Sequence, residues 1–210
     1  MDNIQWGLLG NAVVYYQNKG YKYVETPWIV HNVMNMITTP HENLLTKIEG
    51  TTNSLVGSSE QGFLSMQMND NLPRGKYVSC SPCFRNETGN DGLHLPYFMK
   101  VELYQTDDTS IDAMYAIIQD AEDFFHSVYS NGEGVGYFAN GGTKNPGIKR
   151  IVTPEGVDIN LNDIEIGSYG IRKFCSHQWI CGTGLALPRF NQALRNGTSS
   201  FLRPYCDISS

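Results

Sequence analysis

The sequence has no apolar run long enough to cross a membrane and no cluster of basic residues. A membrane-spanning helix needs about 20 apolar residues in succession, whereas the run at residues 28–30 (WIV) is far shorter. The 15 Lys and Arg residues are scattered among 210, and the net charge is −6. Domains that hold nucleic acid through its phosphates usually carry a basic face. The composition therefore argues against a membrane or DNA partner and gives no support to tRNA binding.

Features of a secreted protein are also missing. Residues 1–5 have neither the basic start nor the apolar core of a signal peptide. Five cysteines, an odd number spread along the chain, do not suit a disulfide framework. We therefore expect a cytoplasmic protein. A chain of 210 residues can bury a core without disulfides, so we also expect one domain over residues 1–210 with no appended domain.

Four of the cysteines leave a zinc site open as an alternative. Cys80 and Cys83, together with Cys175 and Cys181, offer four sulfur ligands. However, Cys80 and Cys83 are an odd number of positions apart on a predicted strand, so their side chains point to opposite faces. We interpret all four as small core residues.

The most informative stretch is residues 76–105, which predicts an antiparallel hairpin of two strands joined by a polar, Gly-containing loop. Arg85 and Glu87 are two positions apart and share a face, as do Phe98 and Glu102. A guanidinium suits phosphate, an aromatic ring suits base stacking, and a carboxylate suits an exocyclic amine. These residue types predict a nucleotide site. The alternative is a hairpin with one ion pair on its solvated face.

The same residues resemble a known family. The order FRNE at 84–87, a loop, and HLPYF at 94–98 resembles motif 2 of class II aminoacyl-tRNA synthetases. The continuation FMKVE at 98–102 is similar to the seryl branch of that family in particular.

The N-terminal segment resembles motif 1 of that family. Residues 3–19 have helical apolar spacing, Gly20 ends the helix, and residues 21–26 predict a strand closed by Pro27. The resemblance implies a homodimer formed through this region. The alternative is an ordinary helix–strand unit, because helix–Gly–strand–Pro is a common pattern.

A short polar loop, Ser58, Ser59 and Glu60, lies before a helix predicted at residues 62–68. It is similar to the Thr-x-Glu loop with which the seryl branch receives the amino group of its substrate. A carboxylate beside hydroxyls suits an ammonium group. The alternative, which is compatible, is a helix N-cap by Ser58 or Ser59 with Glu60 favoured by the helix dipole.

Residues 157–172 carry oxygen ligands at Glu165 and Ser168, as Mg²⁺ bound to ATP phosphates requires. The pattern resembles the metal-holding Glu-x-x-Ser of the seryl branch. Its longer form, Glu-x-x-Ser-x-Gly-Ile-Arg, is also similar to ammonia-dependent asparagine synthetase, which shares the synthetase fold. The alternative is a strand with one exposed acid.

The segment GTGLALPRF at 182–190 resembles motif 3, with Ala186 in place of the third glycine as in the seryl branch. Glycines let a strand approach a ligand closely. Arg189 is predicted near a helix start, where anions are favoured. Pro188 departs from the motif, although proline suits a first helical turn.

Two further segments complete the prediction. Residues 111–130 have the clearest helical spacing in the chain and are predicted to be scaffold. The Gly- and Asn-rich residues 131–147 are predicted to form a surface loop and are the candidate lid.

The resemblance covers nearly the whole chain and implies an α+β fold, an antiparallel β-sheet of about six strands flanked by helices. It also implies ATP-dependent activation of an amino acid to an aminoacyl-adenylate, with Mg²⁺. The acceptor is left open among tRNA, ammonia, a carrier protein and a small amine. A catalytically silent paralogue that binds an amino acid or nucleotide is the other alternative, although two retained arginines argue against it.

The resemblance gives each matched residue a role. The nucleotide residues are Arg85 at the α-phosphate, Arg189 and His94 near the terminal phosphate, Glu87 at the adenine amine, and Phe98 stacked with Arg189 around the ring. The remaining residues are Glu60 with Ser58 for the amino group, Glu102 and Thr183 for the side-chain pocket, and Glu165 with Ser168 for Mg²⁺.

Overall fold

A seven-stranded sheet forms the centre of the protein. The structure, a computed structural model, describes residues 4–87, 95–131 and 147–199. The helices are α1 Trp6–Asn18, α2 Asn32–Thr38, α3 Ser59–Met68, α4 Ile111–Asn131 and α5 Arg189–Ser199. The strands are β1 Lys22–Tyr23, β2 Ile29–His31, β3 Thr46–Lys47, β4 Asn53–Leu55, β5 Lys76–Phe84, β6 Tyr97–Gln105, β7 Ile148–Thr153, β8 Gly156–Leu161, β9 Ile164–Phe174 and β10 His177–Leu187. His94 and most of the candidate lid lie outside the described residues.

The order of strands in the main sheet is β1-β5-β6-β10-β9-β8-β7. Strands β5 to β7 in this order form an unbroken antiparallel run of six, and β1 adds to β5 in parallel. A second, three-stranded sheet has the order β2-β4-β3. The predicted α+β class, with about six antiparallel strands flanked by helices, is therefore confirmed; the short parallel strand β1 was not predicted as a member of the sheet.

The predicted central hairpin is confirmed as β5 and β6, whose register runs from Lys76 opposite Gln105 to Phe84 opposite Tyr97. Successive side chains of each strand point to opposite faces of the sheet. Val78 and Leu103 join the core under the helices, whereas Tyr77 and Tyr104 lie on the opposite face.

The helices α1, α4 and α5 cover one face of the sheet. Each contributes an apolar stripe of fully or nearly fully buried residues, such as Leu9 and Tyr16 from α1, Ile117 from α4 and Phe190 from α5. The predicted scaffold helix at 111–130 is confirmed as α4. The other face is only partly covered: α3 packs Phe63 and Leu64 against one end of it, and the rest remains open to form a cavity.

A partly buried carboxylate, Asp120, links the helices to the sheet at one edge. Asp120 on α4 accepts from Lys76 Nζ at 3.1 Å and from the Tyr21 hydroxyl at 3.2 Å, and it lies 3.3 Å from Lys19 Nζ. These contacts join α1, α4 and β5 on the side of the sheet that faces away from the cavity.

Several boundaries differ from the sequence prediction for local reasons. Helix α3 begins at Ser59 rather than residue 62 because Ser58 is its N-cap: the Ser58 hydroxyl accepts from the Glu60 N–H at 3.3 Å, and the Gln61 side chain accepts from the Ser58 N–H at 2.9 Å. Strands β8 and β9 are separated by a tight turn at Asn162 and Asp163, both at positive φ. Within the described residues, no helix is both long and apolar enough to span a bilayer.

Candidate active site

The open face of the sheet carries a cavity of about 580 Å³. Every predicted site residue that the structure describes lines it. These ten residues are Ser58, Glu60, Arg85, Glu87, Phe98, Glu102, Glu165, Ser168, Thr183 and Arg189. They come from α3, from β6, β9 and β10, from the segment after β5 and from the start of α5, so the sheet brings together residues that are far apart in the sequence.

Arg85 is held at the end of the central hairpin. Its backbone N–H donates to the Pro96 carbonyl at 3.0 Å, which continues the β5–β6 pairing one residue past the strand. Its Nε donates to the Gly57 carbonyl at 3.2 Å, and its Nη1 lies 3.7 Å from Glu87 Oε1. The guanidinium carbon lies 5.2 Å from the centre of the Phe98 ring. Arg85, Glu87 and Phe98 therefore form one wall of mixed charge and aromatic surface, as the residue spacing predicts.

Arg189 is the first residue of α5, and Pro188 precedes the helix rather than occupying its first turn. The Pro188 carbonyl accepts from the Gln192 N–H at 3.1 Å, which makes Pro188 the N-terminal cap position. Arg189 Nη1 lies 3.4 Å from Glu165 Oε1. The guanidinium thus lies at a helix N-terminus beside the candidate metal ligand.

A β-bulge brings Glu165 and Ser168 to the same side of β9. On a regular strand, residues three apart point to opposite faces. In the β8–β9 pairing, Asn160 lies opposite Glu165 but Ile159 lies opposite Gly167, so Ile166 is an extra residue. Both oxygen-bearing side chains consequently line the cavity. Asp158 on β8 lies directly opposite Ser168 and also lines the cavity, although no sequence pattern predicts it as a site residue.

Two buried carboxylates, each close to a cationic side chain, form the floor of the cavity. Lys100 Nζ lies 2.8 Å from Glu102 Oε2, and the Ser58 hydroxyl donates to the same oxygen. Burial raises the pKa of Glu102, and the neighbouring Lys100 opposes that rise. Lys100 is absent from the predicted site, although it alternates with Phe98 and Glu102 on β6 and so shares their face.

Glu60 is the second buried carboxylate of the floor. Its Oε1 accepts from Trp179 Nε1 at 2.7 Å and lies 3.3 Å from Arg172 Nε. Arg172 also contacts the Cys181 sulfur at 3.3 Å, and burial raises the pKa of that thiol. The sequence prediction includes Glu60 but not Arg172 or Trp179. Arg172 is the arginine that ends the Glu-x-x-Ser-x-Gly-Ile-Arg pattern, and this is the signal that points to it.

The glycines of β10 do not approach the cavity, which corrects one sequence interpretation. A Cβ atom at Gly182 would lie 2.3 Å from the Tyr169 ring, and one at Gly184 would lie 2.7 Å from the Tyr16 ring. Both rings belong to the core under the helices. These glycines therefore make room for aromatic side chains behind the sheet, whereas Thr183 between them lines the cavity.

Cys80, Cys83 and Cys181 are buried or partly buried, as expected of core residues, but the same interpretation is wrong for Cys175, which lies in the turn between β9 and β10. Cys80 packs against the core under the helices, Cys181 belongs to the cluster under α3, and Cys175 is exposed. Over residues 4–87, 95–131 and 147–199, no three His, Cys, Asp or Glu side chains form a group that could hold a metal.

The fold matches solved synthetase structures. The chain superposes on a seryl-tRNA synthetase from Pyrococcus horikoshii complexed with ATP with a TM-score of 0.65 and 18% identity, over 89% of this chain and 48% of that one. A pyrrolysyl-tRNA synthetase from Desulfitobacterium hafniense gives a TM-score of 0.64 and 16% identity, over 94% and 72% of the two chains. The protein therefore has the catalytic-core fold of class II aminoacyl-tRNA synthetases.

Part of the sequence is similar to serine–tRNA ligases. A serine–tRNA ligase from Staphylothermus marinus is 30% identical over 140 residues, which are 60% of this chain and 30% of that protein. One from Prochlorococcus marinus is 40% identical over 80 residues, 32% of this chain and 19% of the relative. The matched regions span less than a third of these relatives. No family model matches the sequence.

Proposed function

We propose that this chain is a synthetase-like catalytic domain that uses ATP to convert an amino acid into an aminoacyl-adenylate. The observation that carries the proposal is one cavity whose lining includes three arginines, two phenylalanine rings and two buried carboxylates. The chain is similar to part of several serine–tRNA ligases, which supports an activity of this class.

The proposed reaction needs no nucleophile from the protein. A carboxylate oxygen of the amino acid attacks the α-phosphorus of ATP, the bond to the bridging oxygen breaks, and pyrophosphate leaves with the electron pair. Such a step depends on positioning and on compensation of negative charge. We assign Arg85 to the α-phosphate, and Arg189 with His94 to the terminal phosphates. Glu87 accepts from the adenine amine, and Phe98 stacks with the ring opposite Arg189.

The floor of the cavity suits the amino acid. Glu60, with Ser58 beside it, is assigned to the α-ammonium group, because an almost fully buried carboxylate strongly favours a cation as its partner. The contacts of Glu60 with Trp179 and Arg172 both use Oε1 and fix the carboxylate in place. Glu102 and Thr183 are assigned to the side-chain pocket, where Lys100 holds Glu102.

The donor set at the cavity mouth fits Mg²⁺. Glu165 and Ser168 offer oxygen atoms on one face of β9, and Asp158 offers another from β8. Mg²⁺ is usually bound by one or two carboxylates together with substrate phosphates. When bound there with ATP, the ion supplies positive charge against the phosphates. The protein side chains themselves orient the triphosphate. Arg189, the first residue of α5, lies beside Glu165 for this role.

A second candidate function is an amide ligase that acts on an amino acid with a side-chain carboxylate. Arg172 favours it, because this guanidinium lines the cavity floor and a guanidinium binds a carboxylate through paired hydrogen bonds. In this case the adenylate passes to ammonia or another amine rather than to tRNA.

We also propose that the protein is a homodimer through α1, β1 and the segment that follows. This region exposes many large apolar side chains, which marks an interaction surface. They are Trp6, Val14, Tyr23, Trp28, Ile29, Val33 and Met36.

The test is ATP–pyrophosphate exchange measured with each of the twenty amino acids. We expect exchange that depends on one or a few amino acids. Serine as the substrate would support the synthetase assignment, and aspartate or glutamate would support the amide ligase. ATP binding without exchange for any amino acid would overturn both and leave a catalytically silent binder. Arg150→Lys, which changes an arginine paired with Glu122 outside the cavity, is the control for the arginine variants.

A further inference from the structure

Strand β10 contains a bulge where it passes under the cavity. In its pairing with β6, Thr183 lies opposite Glu102 and Leu185 lies opposite Val101, so Gly184 is an extra residue. The bulge lets Thr183 and Ala186, three positions apart, both line the cavity. The pairing of β10 with β9 also ends here, at Gly182 opposite Tyr169. From Thr183 onward β10 is therefore paired with β6 alone, and Gly184 is left out of both pairings.

Two tyrosines supply hydrogen bonds to the bulge from behind the sheet. The Tyr169 hydroxyl donates to the Thr183 carbonyl at 2.5 Å, and the Tyr16 hydroxyl donates to the Gly184 carbonyl at 2.9 Å. Tyr16 is 0% exposed and Tyr169 is 1% exposed. Burial raises the pKa of both phenols, so both stay protonated and act as donors.

The glycines of β10 fit this arrangement. Gly182 leaves space for the Tyr169 ring, and Gly184 leaves space for the Tyr16 ring. Any larger residue at either position would collide with a ring whose hydroxyl binds a carbonyl of the bulge, that of Thr183 for Tyr169 and that of Gly184 itself for Tyr16. The hydroxyls of Tyr16 on α1 and Tyr169 on β9 thus bind consecutive carbonyls of one bulge, and the two glycines leave space for their rings.

We propose that Tyr16 and Tyr169 are positioning residues that fix the β10 bulge and thereby place Thr183 in the amino acid subsite. This inference rests on the proposed function. Neither tyrosine touches the cavity surface. Each acts through the backbone of β10, so loss of a hydroxyl should disturb the amino acid subsite more than the nucleotide wall, which is built on Arg85 and Phe98.

The test compares Tyr16→Phe and Tyr169→Phe with the wild-type chain in ATP–pyrophosphate exchange. Each substitution keeps the ring and removes one donor, leaving a buried carbonyl without its partner. We expect KM for the amino acid to rise about tenfold, the equivalent of one hydrogen bond, and KM for ATP to change less than about twofold. Tyr21→Phe is the control, since it removes the hydroxyl of another buried tyrosine, which donates to Asp120 away from β10.

Equal changes in both KM values, or the same change in Tyr21→Phe, would overturn the inference and reduce the two tyrosines to general core residues. Hydrogen–deuterium exchange provides a readout that does not need activity. Selective loss of protection at residues 182–186 in Tyr16→Phe and Tyr169→Phe supports the positioning role even if the wild-type chain shows no exchange activity. Loss spread evenly over the sheet counts against it. The two variants act on one bulge from two elements, so either one that folds decides the question.

Discussion

The ammonium group of Lys100 lies 2.8 Å from the carboxylate of Glu102, and both belong to β6 beneath the cavity. Glu102 is almost fully buried, with 1% of its surface exposed. A buried carboxylate that loses its cation is left uncompensated, which is costly. The pair therefore has a role in stability that can be separated from any role in substrate binding.

We expect Lys100→Met to destabilise the fold by about 3 kcal/mol at neutral pH. Because burial already raises the pKa of Glu102 and Lys100 opposes that rise, the substitution raises the folded-state pKa further. Stability is then lost as the pH rises through the folded pKa, and the loss disappears as the pH falls toward the ordinary Glu value of about 4.3. Denaturant unfolding at about pH 5 and pH 7.5 measures this difference.

The double variant Lys100→Met with Glu102→Gln is the control for the Lys100 prediction. Removing both charges should restore much of the stability at neutral pH, because no uncompensated charge remains. A Lys100→Met variant whose loss of stability is independent of pH would show that Glu102 is not the affected group.

The hairpin residues illustrate how much of the site the sequence can predict. The spacing of Arg85, Glu87, Phe98 and Glu102 follows strand alternation, and the structure brings them to one cavity as predicted. The same alternation also predicts that Lys100 lines the cavity, since it shares a strand face with Phe98 and Glu102. What the alternation could not supply was the pairing of Arg172 with Glu60, because those residues meet only when α3 packs across the sheet.

The two bulges show why the rest could not be predicted. Glu165 and Ser168 are three apart, as are Thr183 and Ala186, and regular strands would place the members of each pair on opposite faces. The extra residues Ile166 and Gly184 reverse that outcome. A bulge depends on tertiary contacts that strand alternation does not encode; at Gly184 these are the Tyr16 and Tyr169 hydroxyls, which donate to the Gly184 and Thr183 carbonyls from behind the sheet. Gly182 and Gly184 show the same limit. Their sequence pattern predicts that a ligand lies close to the strand, whereas in the structure the rings of Tyr169 and Tyr16 lie close to it.

Arg85→Lys should reduce adenylate formation by roughly 100-fold while leaving the fold intact. Lysine keeps the charge but loses the fork that donates to Gly57 and reaches Glu87 at once. The measurement is kcat/KM in pyrophosphate exchange, with the melting temperature as the check on folding. Near-normal exchange by Arg85→Lys, matching the Arg150→Lys control, would contradict the assignment of Arg85 to the α-phosphate.

Glu165→Ala should weaken the apparent affinity for Mg²⁺, and excess Mg²⁺ should partly restore exchange. The substitution also removes the carboxylate that lies 3.4 Å from Arg189. Asp163→Ala, two residues away in the β8–β9 turn and exposed, is the matched control and should leave the Mg²⁺ dependence unchanged. If both variants titrate with Mg²⁺ as the wild-type chain does, Glu165 is structural.

Val14→Asp should shift the protein toward monomer in sedimentation equilibrium, because it places a charge in the exposed apolar surface of α1. Val152→Asp changes a more exposed valine on the edge strand β7 and should have no effect on association. A dimer that withstands Val14→Asp but dissociates with Val152→Asp would move the interface to the opposite edge of the sheet.

We predict that tRNA is at best a poor acceptor. We expect bulk tRNA to bind weakly at near-physiological salt, with a Kd of roughly 10⁻⁴ M or weaker. The chain carries a net charge of −6 and only 15 scattered basic residues, and release of counterions from phosphates by basic side chains drives such binding. Added salt should therefore abolish what binding remains.

Adenylate formation should proceed without tRNA and turn over faster when the true acceptor is supplied, which single-turnover assays with tRNA, ammonia and small amines can distinguish. Saturable aminoacylation of a purified tRNA at submicromolar concentration would contradict this prediction. It would mean that shape complementarity or a partner subunit replaces the missing charge, because the residues of this chain do not supply enough positive charge to hold a tRNA that tightly.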